Sequence, residues 1–295
     1  MSPQAYDVLL GTWGVARLGR RPEAPDKLPV AALLEHFESI NGTSDDRQEI
    51  VNAPATAQAL ARSVGLVFDS GNLSPGPNGT LVLQTVSTGL ATGQAFSEQP
   101  AVQDGFTGFL VGDDLLLTTV HGLDVQHVTD LRVIFDYQLG SVKTIFSSSE
   151  VFRVKKFEAH GSYPNPPADD WLLLRLDRGT GRPALPIASG LPAVATQLRM
   201  FGFPLGLPMK YVSNGKVTGQ AGTVFECDLD ASYGNSGSPV LNPASQVVGV
   251  LQTTTPALDE LSPGIYVWHW CPTGYCPTGV TGTPAFAAAV NVALT

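Results

Sequence analysis

Charge is scarce in this chain, and positive charge scarcer still. Only 15% of its 295 residues are Asp, Glu, Lys or Arg, and 17 Lys and Arg stand against 26 Asp and Glu, a formal net charge of -9. Nucleic acid and anionic membrane surfaces both demand a basic face, so neither is expected as a partner. No stretch reaches the roughly 18 apolar residues of a membrane span. The start, MSPQAYDVLLGTWGVARLGRR, lacks the charged opening and apolar core of a secretory signal. The expectation is a soluble, cytoplasmic protein, or a secreted one if that start is not the natural one. Cysteine is limited to Cys227, Cys271 and Cys276. An odd count fits a reducing compartment, although Cys271 and Cys276 would close a small disulfide loop in an exported protein. A zinc site needs a second Cys/His pair in register and none is present, so no metal is expected, and the chemistry read below calls for no cofactor.

Gly and Pro, by contrast, are plentiful at 31 and 23 residues, and 43% of the chain is hydrophobic. Many short apolar runs separated by turn residues favour an all-β architecture with few helices. Residues 1–44 differ and read as an N-terminal extension. Within them LPVAALLEHFESINGT reads as one amphipathic helix, with Leu33, Leu34, Phe37 and Ile40 on one face and Asn41-Gly42 as its stop. From residue 45 strands dominate. SVGLVF, LVLQTV, FTGFLVG, LLLTTVHG, LRVIFDYQ, VFRVKKFEA and WLLLRLD supply a first barrel over about residues 60–178. TQLRMFGF, MKYVSNGKVTG, GTVFECDLD, SPVLN, QVVGVLQ and GIYVWHW supply a second over about 188–282, with RPALPIASGLPA as the crossing. Residues 71–105 read as a long surface hairpin with a flexible tail. Thr283-Pro284 followed by AFAAAVNVAL reads as a C-terminal helix over about 284–294 with a Thr cap.

Three segments carry chemistry. LLLTTVHGL presents His121, ADDWLLLRL presents Asp170, and GNSGSP centres on Ser236. A serine hydroxyl is a poor nucleophile unless an imidazole takes its proton and a carboxylate fixes the imidazole tautomer. An oxyanion needs preorganised N–H donors, for which Gly234 and Ser236 are the candidates. Singly, each segment is equally well a strand end, a turn acid or a Gly/Ser loop. Together, each at a strand end or loop, they form a nucleophile, base and acid in the chain order His, Asp, Ser. That order differs from the Ser, Asp, His of α/β-hydrolases and the Asp, His, Ser of subtilisins. Asp169 is the alternative acid; Asp170 is preferred because it directly precedes the apolar strand. His36, His127, His160 and His269 read as packed or solvated, and the sequons at Asn41, Asn72 and Asn78 matter only in a secretory pathway.

TTVHG, DDWLLLRL and GNSGSPV resemble the three signatures of trypsin-like serine peptidases over most of residues 45–290. SDDRQEIV, FGFPLGLPMKYVSNGKV and FECDLDASYGNSGSPVLN bring the resemblance closer to bacterial glutamyl-endopeptidase-like proteins. The resemblance implies two orthogonal six-stranded antiparallel β-barrels of chymotrypsin type, with the triad in the cleft between them. It also implies a serine endopeptidase acting on protein or peptide substrates. A catalytically silent binding module on the same scaffold is the alternative, and a regulated protease with a dedicated partner protein is compatible with the first reading. Asn235 departs from the pattern of digestive relatives, where an Asp at that position captures a new N-terminal ammonium; a carboxamide cannot form that ion pair. For substrate binding, similarity suggests Asp230 at the base of the specificity pocket, where it would select Arg or Lys, or else as a loop acid capping amides. Gly264 in PGIY would leave the pocket depth and Thr254 would narrow its entrance. The main chain of Gln252 to Thr254 would pair with extended substrate. Leu251 and Ala231 occupy the positions nearest those that glutamyl-specific relatives use, which disfavours Glu specificity.

Overall fold

The repeated apolar runs become strands that close on themselves twice. The computed structural model describes residues 40–41, 44–163, 165, 169–253, 258–271 and 278–295. Two short strands, β1 (Ile40–Asn41) and β2 (Gln48–Glu49), precede a helix, α1 (Ala55–Ala61). Then come β3 (Val64–Asp69), β4 (Leu73–Pro75), β5 (Leu81–Leu83), β6 (Phe106–Leu110), β7 (Leu115–Thr118), β8 (Leu131–Phe135), β9 (Ile145–Phe146), β10 (Phe152–His160) and β11 (Leu172–Leu176). The second half holds β12 (Gln197–Gly202), β13 (Lys210–Ala221), β14 (Val224–Cys227), β15 (Pro239–Leu241), β16 (Val247–Thr253), β17 (Leu258–Ser262), β18 (Ile265–Trp268), β19 (Trp270–Cys271) and β20 (Thr278–Gly282). A last helix, α2, spans Ala287–Leu294.

The first barrel closes in the order β10-β11-β7-β6-β3-β8. The second runs β12-β15-β16-β20-β14-β13 and closes through the β12–β13 pairing, with β2 added beside β13. Both are six-stranded and antiparallel throughout, a chymotrypsin-like pair. Closure removes the free edges that an open sheet would expose. Strand alternation sets the packing: Leu172, Leu174 and Leu176 join one apolar cluster drawn wholly from the first half, whereas Trp171 and Leu173 on the opposite face join another. That other cluster also takes Phe201, Phe203, Tyr211 and Val250, and so welds the two barrels together. The second barrel has its own filling from Leu198, Met200, Val212, Phe225, Val240 and Val280.

Four details differ from the sequence expectation. GIYVWHW is not a barrel strand: β18 pairs with β17 in a separate hairpin, and β20 takes the sixth place. LVLQTV contributes β5 to a small sheet with β4 and β9 rather than to the first barrel. Thr283 does not cap the last helix. Its hydroxyl donates to the Gly190 carbonyl, Thr283–Ala285 form a separate 3-10 turn, and α2 begins only after Phe286. Most of the amphipathic stretch lies outside the described residues, but its end, Ile40–Asn41, pairs in parallel with Trp270–Cys271 as β1 instead of finishing a helix. Cys227 is buried outside any disulfide, its Sγ donating to the Thr278 carbonyl, whereas Cys271 is disulfide-bonded, the arrangement that the odd cysteine count left open.

Candidate active site

His121 follows β7 and Asp170 precedes β11, and these strands are paired, Thr118 opposite Leu172. Hydrogen bonding of neighbouring strands therefore brings together two residues that lie 49 positions apart. Asp170 is fully buried. Its Oδ1 accepts the N–H groups of Val120 at 2.8 Å and His121 at 3.0 Å, and its Oδ2 makes a short contact with His121 Nδ1. His121 Nε2 lies 3.0 Å from Ser236 Oγ, in the loop between β14 and β15. With Nδ1–H committed to the carboxylate, Nε2 is left as the acceptor for the serine proton. Burial lowers the imidazole pKa, but the charge of Asp170 and its hydrogen bond outweigh burial, so the net shift is upward from 6.5. The edge of Tyr163 stands against the imidazole, ring centroids 6.1 Å apart. Asp169 is turned elsewhere and accepts the Thr223 hydroxyl.

The nucleophile loop is held from several sides. Thr107 on β6 donates its hydroxyl to the Gly234 carbonyl at 2.7 Å, and its N–H donates to the Ser236 carbonyl at 3.1 Å. Asn235 Oδ1 accepts the Ser232 N–H, and the Asn235 N–H returns to the Ser232 carbonyl. Gly237 N–H donates to Leu251. Gly234 and Gly237 sit at φ of 85° and 86°, and a Cβ on either would drive into backbone oxygens, Phe203 at the first and Thr107 at the second. Among the described residues nothing accepts the N–H groups of Gly234 and Ser236. Asn235, 2% exposed, thus braces the loop from within through Ser232.

Asp230 is also buried, at 2% exposure. Both its oxygens are taken by the chain's own amides: Oδ1 accepts the Asn41 N–H at 2.7 Å and Oδ2 the Asp46 N–H at 2.8 Å. Burial pushes its pKa up to about 7, with the two amides and Arg47 opposing. Residues 40–41 and 44–52 lie as a strap against the second barrel. In it, Arg47 lies with its guanidinium 3.7 Å over the Trp268 ring, clamped by Asp45, and Glu49 pairs with buried Lys210 at 3.0 Å. The body thus reaches back at least to Ile40. Gly264 sits at the exposed turn of the β17–β18 hairpin at φ 76°, where glycine serves the turn rather than a pocket wall. Gln252 is buried and its Oε1 accepts the Thr281 hydroxyl. Thr254 lies outside the described residues. His127 and His269 pair with Asp124 and Asp259, away from the triad. Sequence reasoning missed Thr107, Thr281 and the strap; a threonine inside an otherwise apolar strand was the one available signal.

Residues 106–250 match the family model of the trypsin-like peptidase domain. Among solved structures the chain is similar to a Glu endopeptidase in complex with MPD, with a TM-score of 0.54 and 17% identity over 85% of this chain and 98% of that one. It is also similar to the Rv3671c protease from M. tuberculosis in its active form, with a TM-score of 0.48 and 16% identity over 92% of this chain and 93% of the other. The family match covers β6 through most of β16, and the first of these structures shares the double-barrel fold. The chain therefore carries a trypsin-like peptidase domain built on a chymotrypsin-like pair of barrels.

Proposed function

We propose that the protein is an active serine endopeptidase. The observation that carries this reading is the unbroken line from Asp170 through His121 to Ser236 Oγ, beside two unengaged amides in the same loop. Ser236 Oγ attacks the scissile carbonyl while His121 Nε2 takes its proton. Asp170 keeps the imidazole in the required tautomer and stabilises the imidazolium. The N–H groups of Gly234 and Ser236 receive the oxyanion. His121 returns the proton to the leaving amine, and water resolves the acyl-enzyme by the same steps in reverse.

Strand β15 pairs with β16 as far as Val250, and Leu251 is engaged by Gly237 and Ser238. The edge beyond it is where extended substrate backbone is expected to add as a strand. Selection of Arg or Lys by Asp230 has no support, because its carboxylate is spent on strap amides. A fluorophosphonate probe tests the reading, since it requires an activated serine and little substrate recognition. Labelling should occur in the unaltered chain and vanish in Ser236→Ala and His121→Ala. Asp170→Asn should slow turnover by about 10⁴-fold. Because the imidazole pKa is raised, kcat/KM should fall away on acidification at a pH above the usual histidine value. Absence of labelling in the unaltered chain would favour the silent binding module. Fast cleavage of one protein beside slow casein digestion would favour a dedicated substrate.

A further inference from the structure

The triad is split between the barrels: His121 and Asp170 come from the first, Ser236 from the second. Its 3.0 Å contact between Nε2 and Oγ depends on how the two halves are registered. An apolar weld is poor at fixing such a register, because dispersion and hydrophobic burial are not directional. Thr107 on β6 ties the nucleophile loop to the first barrel, and a second directional tie lies directly behind the acid. The Asp170 N–H, on the first barrel, donates to Thr281 Oγ1 at 3.1 Å, on β20 of the second. The Thr281 hydroxyl spends its one proton on Gln252 Oε1, 3.0 Å away on β16. Asp170 and Thr281 are fully buried and Gln252 is 9% exposed, so water does not compete for these bonds.

Three features make this tie stiff. Threonine is restricted at χ1. Its hydroxyl is held as both donor and acceptor, which leaves no free rotor. Thr281 is also clamped in the sheet, paired with Val250 on one side and Val224 on the other. Gln252 extends the tie to the end of β16, the strand on whose edge substrate is expected to add.

We propose that Thr281, anchored by Gln252, is a positioning residue that registers the His121–Asp170 half of the site against the Ser236 half. This rests on the serine-peptidase reading above. Thr281→Val keeps the shape and removes both bonds, whereas Thr281→Ser keeps the hydroxyl. The expected result for Thr281→Val is a fall in kcat of up to about 10²-fold with KM little changed, the size that a small misplacement of reacting groups produces. Thr281→Ser should restore most of the lost rate. A crystal structure of Thr281→Val should show His121 Nε2 moved out of hydrogen-bond reach of Ser236 Oγ. If folded Thr281→Val keeps the unaltered kcat, or its crystal structure keeps that contact, the inference is overturned and the threonine only stabilises the barrel. The structure of the variant reads out without turnover. An inert unaltered enzyme would therefore count against the peptidase reading, while the tie would still be decided.

Discussion

Replacing Asp230 by Asn tests the strap, and the size of the effect follows from the site. The carboxylate is 2% exposed, and its pKa is moved from 3.8 to about 7, burial being the main cause, against the pull of the Asn41 and Asp46 amides and of Arg47. Between those two pH values the folded chain holds a proton on Asp230 that the unfolded chain has released. The group's contribution is therefore fully present below pH 3.8 and is lost as pH rises through about 7. A shift of that size, at about 1.4 kcal/mol per unit, corresponds to about 4 kcal/mol. Asparagine resembles the protonated acid and does not titrate. Urea unfolding of both proteins at pH 4 to 8 should show the stability of the unaltered chain, relative to Asp230→Asn, falling by about 4 kcal/mol across that range. A difference that stays flat or rises with pH would refute the reasoning. Peptide substrates with different residues before the scissile bond separate the two roles weighed for this acid. A strap anchor makes Asp230→Asn act on all of them alike, whereas a pocket acid would make it selective against Arg and Lys.

Two other substitutions probe the supports of the site. Lys210→Met leaves Glu49 buried without its cation, and should cost about 3–5 kcal/mol in urea unfolding. Adding Glu49→Gln should recover part of this, a non-additivity that a double-mutant cycle reads directly. Gly237→Ala forces a side chain to φ 86° and sets its Cβ against the Thr107 carbonyl and the Thr118 hydroxyl. With about 1–2 kcal/mol for the left-handed backbone and about 1–3 kcal/mol for overpacking, it should lower the melting temperature and abolish fluorophosphonate labelling.

What the sequence could reveal depended on how local the cause was. The strands were legible because a short apolar run bounded by turn residues is a local property: LLLRL and LLLT announce buried strands without reference to anything else. The convergence of His121, Asp170 and Ser236 was legible because each sits in a short segment whose residue types suit one chemistry, and their order along the chain did the rest. GIYVWHW was misplaced for the complementary reason. It has a good strand composition, but which neighbour it pairs with is settled by register and turn geometry, and those placed Thr278–Gly282 in the barrel instead. Leu294 and Val292, largely exposed on α2, show again that apolar composition alone does not assign a burial partner.

The same argument explains why Asp230 was ambiguous. Six residues before the nucleophile, an acid has two chemically sound uses, and the sequence near it is the same for both. The amides it accepts come from 189 and 184 residues away and arrive only because β1 lies beside Trp270–Cys271 and β2 beside Lys210–Tyr211. A carboxylate that accepts two main-chain N–H groups recognises backbone, not side chains, so nothing in the composition of residues 40–46 announces the contact. Asn235 is its counterpart. There the loop is held by the side-chain carbonyl of Asn235 on Ser232 and by Thr107 on Gly234, contacts of internal chain at the place where an Asp would pair with a freed amine.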